Sequence, residues 1–133
     1  MRLYKILFLL MFCFPFMAKA SEWVFVASNE DYTVDFYVNY SQARVVNEYV
    51  YIYRLKNLKE VDEWGSRSSV NYIQADCNQY RVKTLLYTFY DGHMGTGEFE
   101  VQNPAGSNGD WNFMAMGTIG AQLLDDICKR FFD

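Results

Sequence analysis

Between residues 22 and 90 the chain passes through six segments dense in aromatic and β-branched residues, at 22–28, 33–39, 44–47, 49–57, 68–78 and 80–90. Residues of this kind suit the pleated, half-buried surface of a sheet. Asn29-Glu30-Asp31, Asn47-Glu48, Asn78-Gln79 and Asp91-Gly92 stand where the chain must reverse, and their short polar side chains, or the lack of one at Gly92, favour turns. Links this short join antiparallel neighbours, because a parallel pair needs a crossover of about a dozen residues. The reading is an antiparallel meander sheet of about six strands. A glycine-rich hairpin at 92–97, a strand near 98–102, a loop at 104–110 and a last short strand at 111–114 follow.

The end of the chain has a different period. From Thr118, a plausible N-cap, Ile119, Leu123, Leu124, Ile127, Cys128 and Phe131 fall on one face at helical spacing, with Gln122, Asp125, Asp126 and Lys129 opposite. An amphipathic helix of this kind must cover a sheet face. The fold class is therefore α+β, with the C-terminal helix packed on one face of the meander.

The N-terminus reads as a signal peptide over residues 1–20. Arg2 and Lys5 precede an apolar run at 6–17, and Ala18-Lys19-Ala20 supplies the small residues of a cleavage site before Ser21. The run is shorter than the roughly twenty helical residues that span a bilayer, and Pro15 interrupts it. Residues 21–133 then form a single exported domain, in the periplasm or secreted. Lipid anchoring at Cys13 is disfavoured, because Phe12 stands where that processing needs a small residue.

Removal of the leader leaves two cysteines, Cys77 and Cys128, and in an oxidising compartment an isolated pair is more often a disulfide than two free thiols. Cys128 lies on the apolar stripe of the helix, and Cys77 shares strand parity with Ile73 and Ala75. A bridge between them clamps the helix to the sheet. Neither a Cys-x-x-Cys redox pair nor a zinc site fits two distant cysteines and a single histidine. The leader takes three of the twelve basic residues and none of the sixteen acidic ones, so the nine and sixteen that remain give a net charge of −7. That charge argues against nucleic acid as a partner.

Trp23, Thr33-Val34-Asp35, the tyrosine-rich run at 49–55, Asp76-Cys77, Arg81, Met94-Gly95-Thr96-Gly97, Trp111 and a helix carrying Cys128 follow one another in an order that resembles the surface-adhesin protein E-like family. The resemblance covers nearly all of residues 21–133. It implies an antiparallel sheet with a C-terminal helix and a non-catalytic binding role. The family's best-known member is a surface lipoprotein that binds host matrix proteins and haem, so haem is a candidate ligand by resemblance only. The sequence departs from that member at the lipid-attachment motif, which favours a soluble protein of the periplasm.

Residues that carry chemistry are sparse. His93, the only histidine, sits in Asp91-Gly-His-Met-Gly-Thr-Gly97. It is either a base or haem ligand with Met94 beside it, or the polar tip of a glycine-rich hairpin. The glycine spacing does not match a phosphate-binding loop, and a helix does not follow. Ser66, Ser68 and Ser69 have no evident base, and the adjacent Asp125 and Asp126 point in different directions. Tyr49, Tyr51 and Tyr53 share one strand face, with Val50 and Ile52 on the other. If the aliphatic face is the inner one, the tyrosines form an outward row suited to recognition. The plainer account is that they stabilise the sheet as cross-strand pairs. Arg54 lies on the Val50 and Ile52 side and speaks against that side being wholly buried, so the parity stays open. A binding module, with Tyr49, Tyr51, Tyr53 and His93 as candidate contacts, is the functional expectation. A small periplasmic hydrolase or an inhibitor protein is the alternative.

Overall fold

A computed structural model describes residues 22–133, so the expected leader, with Cys13, lies outside the described residues. The segments dense in β-branched and aromatic residues form strands β1 (Val24–Ser28), β2 (Val34–Val46), β3 (Tyr49–Leu58), β4 (Ser68–Asp76), β5 (Arg81–Tyr90) and β6 (Phe99–Gln102). They pair in chain order as an antiparallel meander, and a two-residue strand β7 (Asn112–Phe113) pairs with the start of β5. Helix α1 (Ile119–Phe132) ends the chain.

The segments expected at 33–39 and 44–47 are one strand rather than two. Between Asn39, opposite Tyr53, and Arg44, opposite Tyr51, the register shifts by a bulge of residues 40–43. Buried Asn39 organises it, its Oδ1 accepting from Ser41 Oγ at 2.7 Å and from the Gln42 N–H at 3.3 Å. Tyr40 and Ala43 pack towards the core while Gln42 stays exposed. A bulge bends and twists a strand without ending it, which is why composition alone splits this one.

Strand parity is settled by the core. Val38, Val50, Ile52, Ile73, Ala75 and Val82 point to one side and meet Leu123, Leu124 and Ile127 of α1. Full burial of each such aliphatic side chain stabilises the fold by about 1.5–3 kcal/mol. The helix starts where its sequence says it should: Thr118 Oγ accepts from the Ala121 N–H at 3.2 Å as an N-cap. Lys129 and Arg130 in the last turn complement the macrodipole. Cys77, just after β4, and Cys128 are joined, with Cα atoms 5.8 Å apart. Tyr80 adds a second tie, its hydroxyl donating to Asp125 at 2.8 Å. Among the described residues no helix is long and apolar enough to cross a membrane.

Candidate functional site

With the aliphatic side chains turned to the helix, the opposite face of the sheet carries the tyrosines. Tyr53 lies opposite Tyr72 in the register of β3 and β4, their rings 4.7 Å apart, and Tyr51 stands 6.3 Å from the same ring. Arg44 reaches over this cluster from β2. Its guanidinium sits 5.7 Å from the centre of the Tyr51 ring and donates to the Tyr72 hydroxyl at 3.3 Å. Two strands away Phe25 and Tyr37 meet edge to face at 5.7 Å. All three expected tyrosines are half-buried, so each has one side packed on neighbours and one side accessible.

Tyr49 belongs to a different group. Its ring is 5.8 Å from Trp111, and the Arg81 guanidinium lies over that indole, 4.2 Å from the ring centre, with Lys83 at 5.9 Å. Arg81 is itself held by Asp76, Nε to Oδ2 at 2.8 Å. Burial raises the Asp76 carboxyl, but the hydrogen bond and charge of Arg81, together with the N–H groups of Gln79 and Asn78, more than offset it. The net effect is a carboxyl held below its ordinary value. The row of three tyrosines is thus divided between an Arg44 cluster and a Trp111 cluster.

The expected glycine-rich hairpin is present, joining β5 to β6 with Tyr90 opposite Phe99. It folds back over the tyrosine face, the Met94 N–H donating to Asn57 Oδ1 at 2.8 Å and the Gly95 N–H to Ser68 Oγ at 2.9 Å. Gly95 lies so close to the sheet that a Cβ there would come within 3.3 Å of Val70 and 3.4 Å of Leu55. That cover explains why Leu55, which has the parity of the tyrosines, is buried. Between this loop and the bulge of β2 runs an open groove of about 570 Å³, with Trp23, Tyr53, Tyr90 and Met94 as its large side chains and Gln42 and Thr96 as polar ones. Of the four expected contacts only Tyr53 lines it. His93 is exposed, its backbone carbonyl accepts from Thr96 Oγ, and its ring has no hydrogen-bond partner among the described residues. Trp23, Gln42 and Tyr90 escape a sequence reading because they come from three separate elements, and register alone brings them together.

Cys77 and Cys128 are joined to each other and so are not free ligands or nucleophiles. Among the described residues no group of three His, Cys, Asp or Glu side chains is placed to hold a metal ion.

No curated protein matches the sequence. Solved structures of Haemophilus influenzae protein E are similar in fold. Crystal form II aligns with a TM-score of 0.65 at 17% identity, covering 82% of this chain and 90% of that one. The structure from non-typeable Haemophilus influenzae aligns at 0.55 and 20% identity, covering 85% of this chain and 81% of that one. At such identity the likeness speaks for the fold. The sequence profile described as surface-adhesin protein E spans residues 23–129, which takes in every strand and all but the last turn of α1. The role of a surface adhesin, a binding protein at an exported or surface location, goes with the family to which the chain belongs, that of surface-adhesin protein E.

Proposed function

We propose that the helix-free face is the recognition surface, and that the groove between the β2 bulge and the 91–97 loop holds the ligand's main contact. The observation behind this is the groove itself: Tyr53, Tyr90, Trp23 and Met94 converge on one concavity whose polar groups are few. Rigid aromatic rings offer large contact area at small entropic cost, and a methionine adapts to the surface it meets. Exposed Phe25, Phe99 and Val101 extend the apolar area around it. The shape suits either an apolar side chain presented by a matrix protein or a flat ring such as haem. Residues 21–133 act as one domain, released from the leader into the periplasm or beyond.

A hydrolase finds no support in this geometry, since the His93 ring meets neither a carboxylate nor a hydroxyl among the described residues. The test is binding of a matrix-protein preparation and of hemin to the purified protein and to Tyr53→Ser. Loss of a ring buried at the centre of an interface costs about 2 kcal/mol or more, so binding of the true ligand class should weaken by at least about thirtyfold. Undiminished binding by the variant would remove the groove from the account.

A further inference from the structure

The two edges of the sheet are unlike. At β1 the edge is covered: α1 lies against the strand, Gln122 Nε2 donates to the Val26 carbonyl at 3.4 Å, and the register breaks between Phe25 and Ala27. Cover and bulges of this kind keep an edge from pairing further. At β6 neither is present. No strand among the described residues pairs on its outer side, its register with β5 is unbroken from Phe99 to Gln102, and all four residues are exposed. The Asp91 N–H donates to the Glu98 carbonyl, which makes 91 and 98 a hydrogen-bonded pair. Bonded and non-bonded pairs alternate along an antiparallel ladder, so Glu100 and Gln102 bond inward to β5 while the N–H and C=O groups of Phe99 and Val101 point out from the edge. Two donors and two acceptors are thus placed as an added strand requires.

The side chains say what such a strand would carry. On the side of the sheet that bears α1, Trp64, Ser66, Phe89, Glu100 and Gln102 line a cleft of about 390 Å³. Trp64 is 81% exposed, yet its turn is fixed: Asp62 Oδ1 accepts from the Trp64 N–H at 3.0 Å and the Ser66 N–H at 2.8 Å, and the Asp62 N–H donates to the Ser66 carbonyl at 2.9 Å. Glu100 is the one charge in the lining, and the ion pair among the described residues lies elsewhere, at Asp76 and Arg81. Two aromatic rings beside a carboxylate suit a basic side chain, whose stem or planar head lies on the rings while its charge meets Glu100. On the opposite side of the strand, the Phe99 ring is 5.7 Å from Tyr90, and Phe99 and Val101 stand 65% and 50% exposed, which suits apolar neighbours. Because side chains alternate, an added strand sets the residue opposite Glu100 over the cleft and its two neighbours beside Phe99 and Val101.

We infer that the β6 edge is a docking site for an extended segment of a partner protein in which a basic residue stands between two apolar ones. The basic residue faces Glu100 at a non-hydrogen-bonded position, where side chains come closest, and enters the Trp64–Phe89 cleft. A second copy of this chain fits poorly, since an antiparallel β6 centred on residue 100 opposes two Glu100 carboxylates. The site uses the sheet's edge and does not depend on the proposed groove.

Calorimetric titration of the purified protein with the blocked peptide acetyl-Thr-Val-Arg-Val-Thr-amide tests the assignment. Glutamate in place of the peptide's arginine should weaken binding about tenfold or more, and Glu100→Lys in the protein should reverse that preference. Trp64→Ser should weaken the arginine peptide severalfold. N-methylation of both valines removes the donors that meet the Phe99 and Val101 carbonyls and should abolish binding, whereas N-methylation of the arginine, whose N–H points away from β6, should change affinity little. The methylated peptides leave the protein unaltered and so decide the matter if a variant does not fold. Equal affinity for the arginine and glutamate peptides, equal effects of methylation at valine and arginine, self-association of the protein that protects the 99–102 amides, or no binding at millimolar peptide would each overturn the inference.

Discussion

Gly97 holds a backbone conformation, φ +87°, that disfavours L side chains, and a Cβ placed there would overlap Asp91 Oδ1. That same carboxylate oxygen accepts from the Glu98 N–H at 2.9 Å, so the glycine and the aspartate together close the loop that roofs the groove. Gly97→Ala should therefore cost about 1–3 kcal/mol in urea denaturation and open the loop. A stability change within error would mean the loop relaxes freely. Asp76 gives a second residue-scale test. Its folded carboxyl lies below the ordinary value of 3.8, so its contribution to stability is whole above that pH and is lost as pH falls through the lower folded value. Asp76→Asn should accordingly be less stable than wild type at neutral pH and show a flatter acid limb below about pH 4. Parallel acid limbs in the two proteins would contradict the Arg81 pairing. At this scale the sequence is readable where a residue acts on its own neighbours, as Thr118 does in capping α1. It is unreadable at Arg54, whose charge sits on the core side because the helix ends before covering it. It is equally unreadable at Leu55, buried on the tyrosine side by a loop from forty residues on.

Among the elements, α1 and the meander follow from period and turn chemistry, and the Cys77–Cys128 bridge follows from export and arithmetic on three cysteines. What joins them is less evident. The bulge at 40–43 makes one long strand of two apparent ones, and it does so through a buried asparagine that reads in sequence as a turn former. The bridge closes a loop between residues 51 apart in sequence. In the chain-entropy account a loop of that length is worth about 4 kcal/mol, between the values for shorter and longer loops. The double variant Cys77→Ser with Cys128→Ser should lower unfolding free energy by about that amount and loosen the last turns of α1 first, seen as faster amide exchange. Uniform exchange across helix and sheet would argue that Tyr80 and the apolar stripe hold the helix without the bridge.

At the scale of the whole molecule, one sheet presents two unlike faces. The helix side carries the aliphatic core and, at the first turn of the helix, a small cleft where Arg54 and Asn71 meet Phe36, Ile119 and Leu123. The helix-free side carries tyrosines, an arginine and a groove roofed by a glycine-rich loop. Residues 21–133 carry a net charge of −7. The order of motifs gave the family resemblance, whereas the face on which the tyrosine row lies stayed open in the sequence and is fixed by the core. The groove itself needed the register, since Trp23, Tyr53, Tyr90 and Met94 are scattered through the sequence. The central claim is that adhesion uses this face. Amide hydrogen exchange of the protein with and without whichever ligand it captures, from a matrix-protein preparation or hemin, tests it most directly. Protection confined to peptides covering 49–55 and 90–97 is the predicted result, and protection along α1 with those segments unchanged would contradict it.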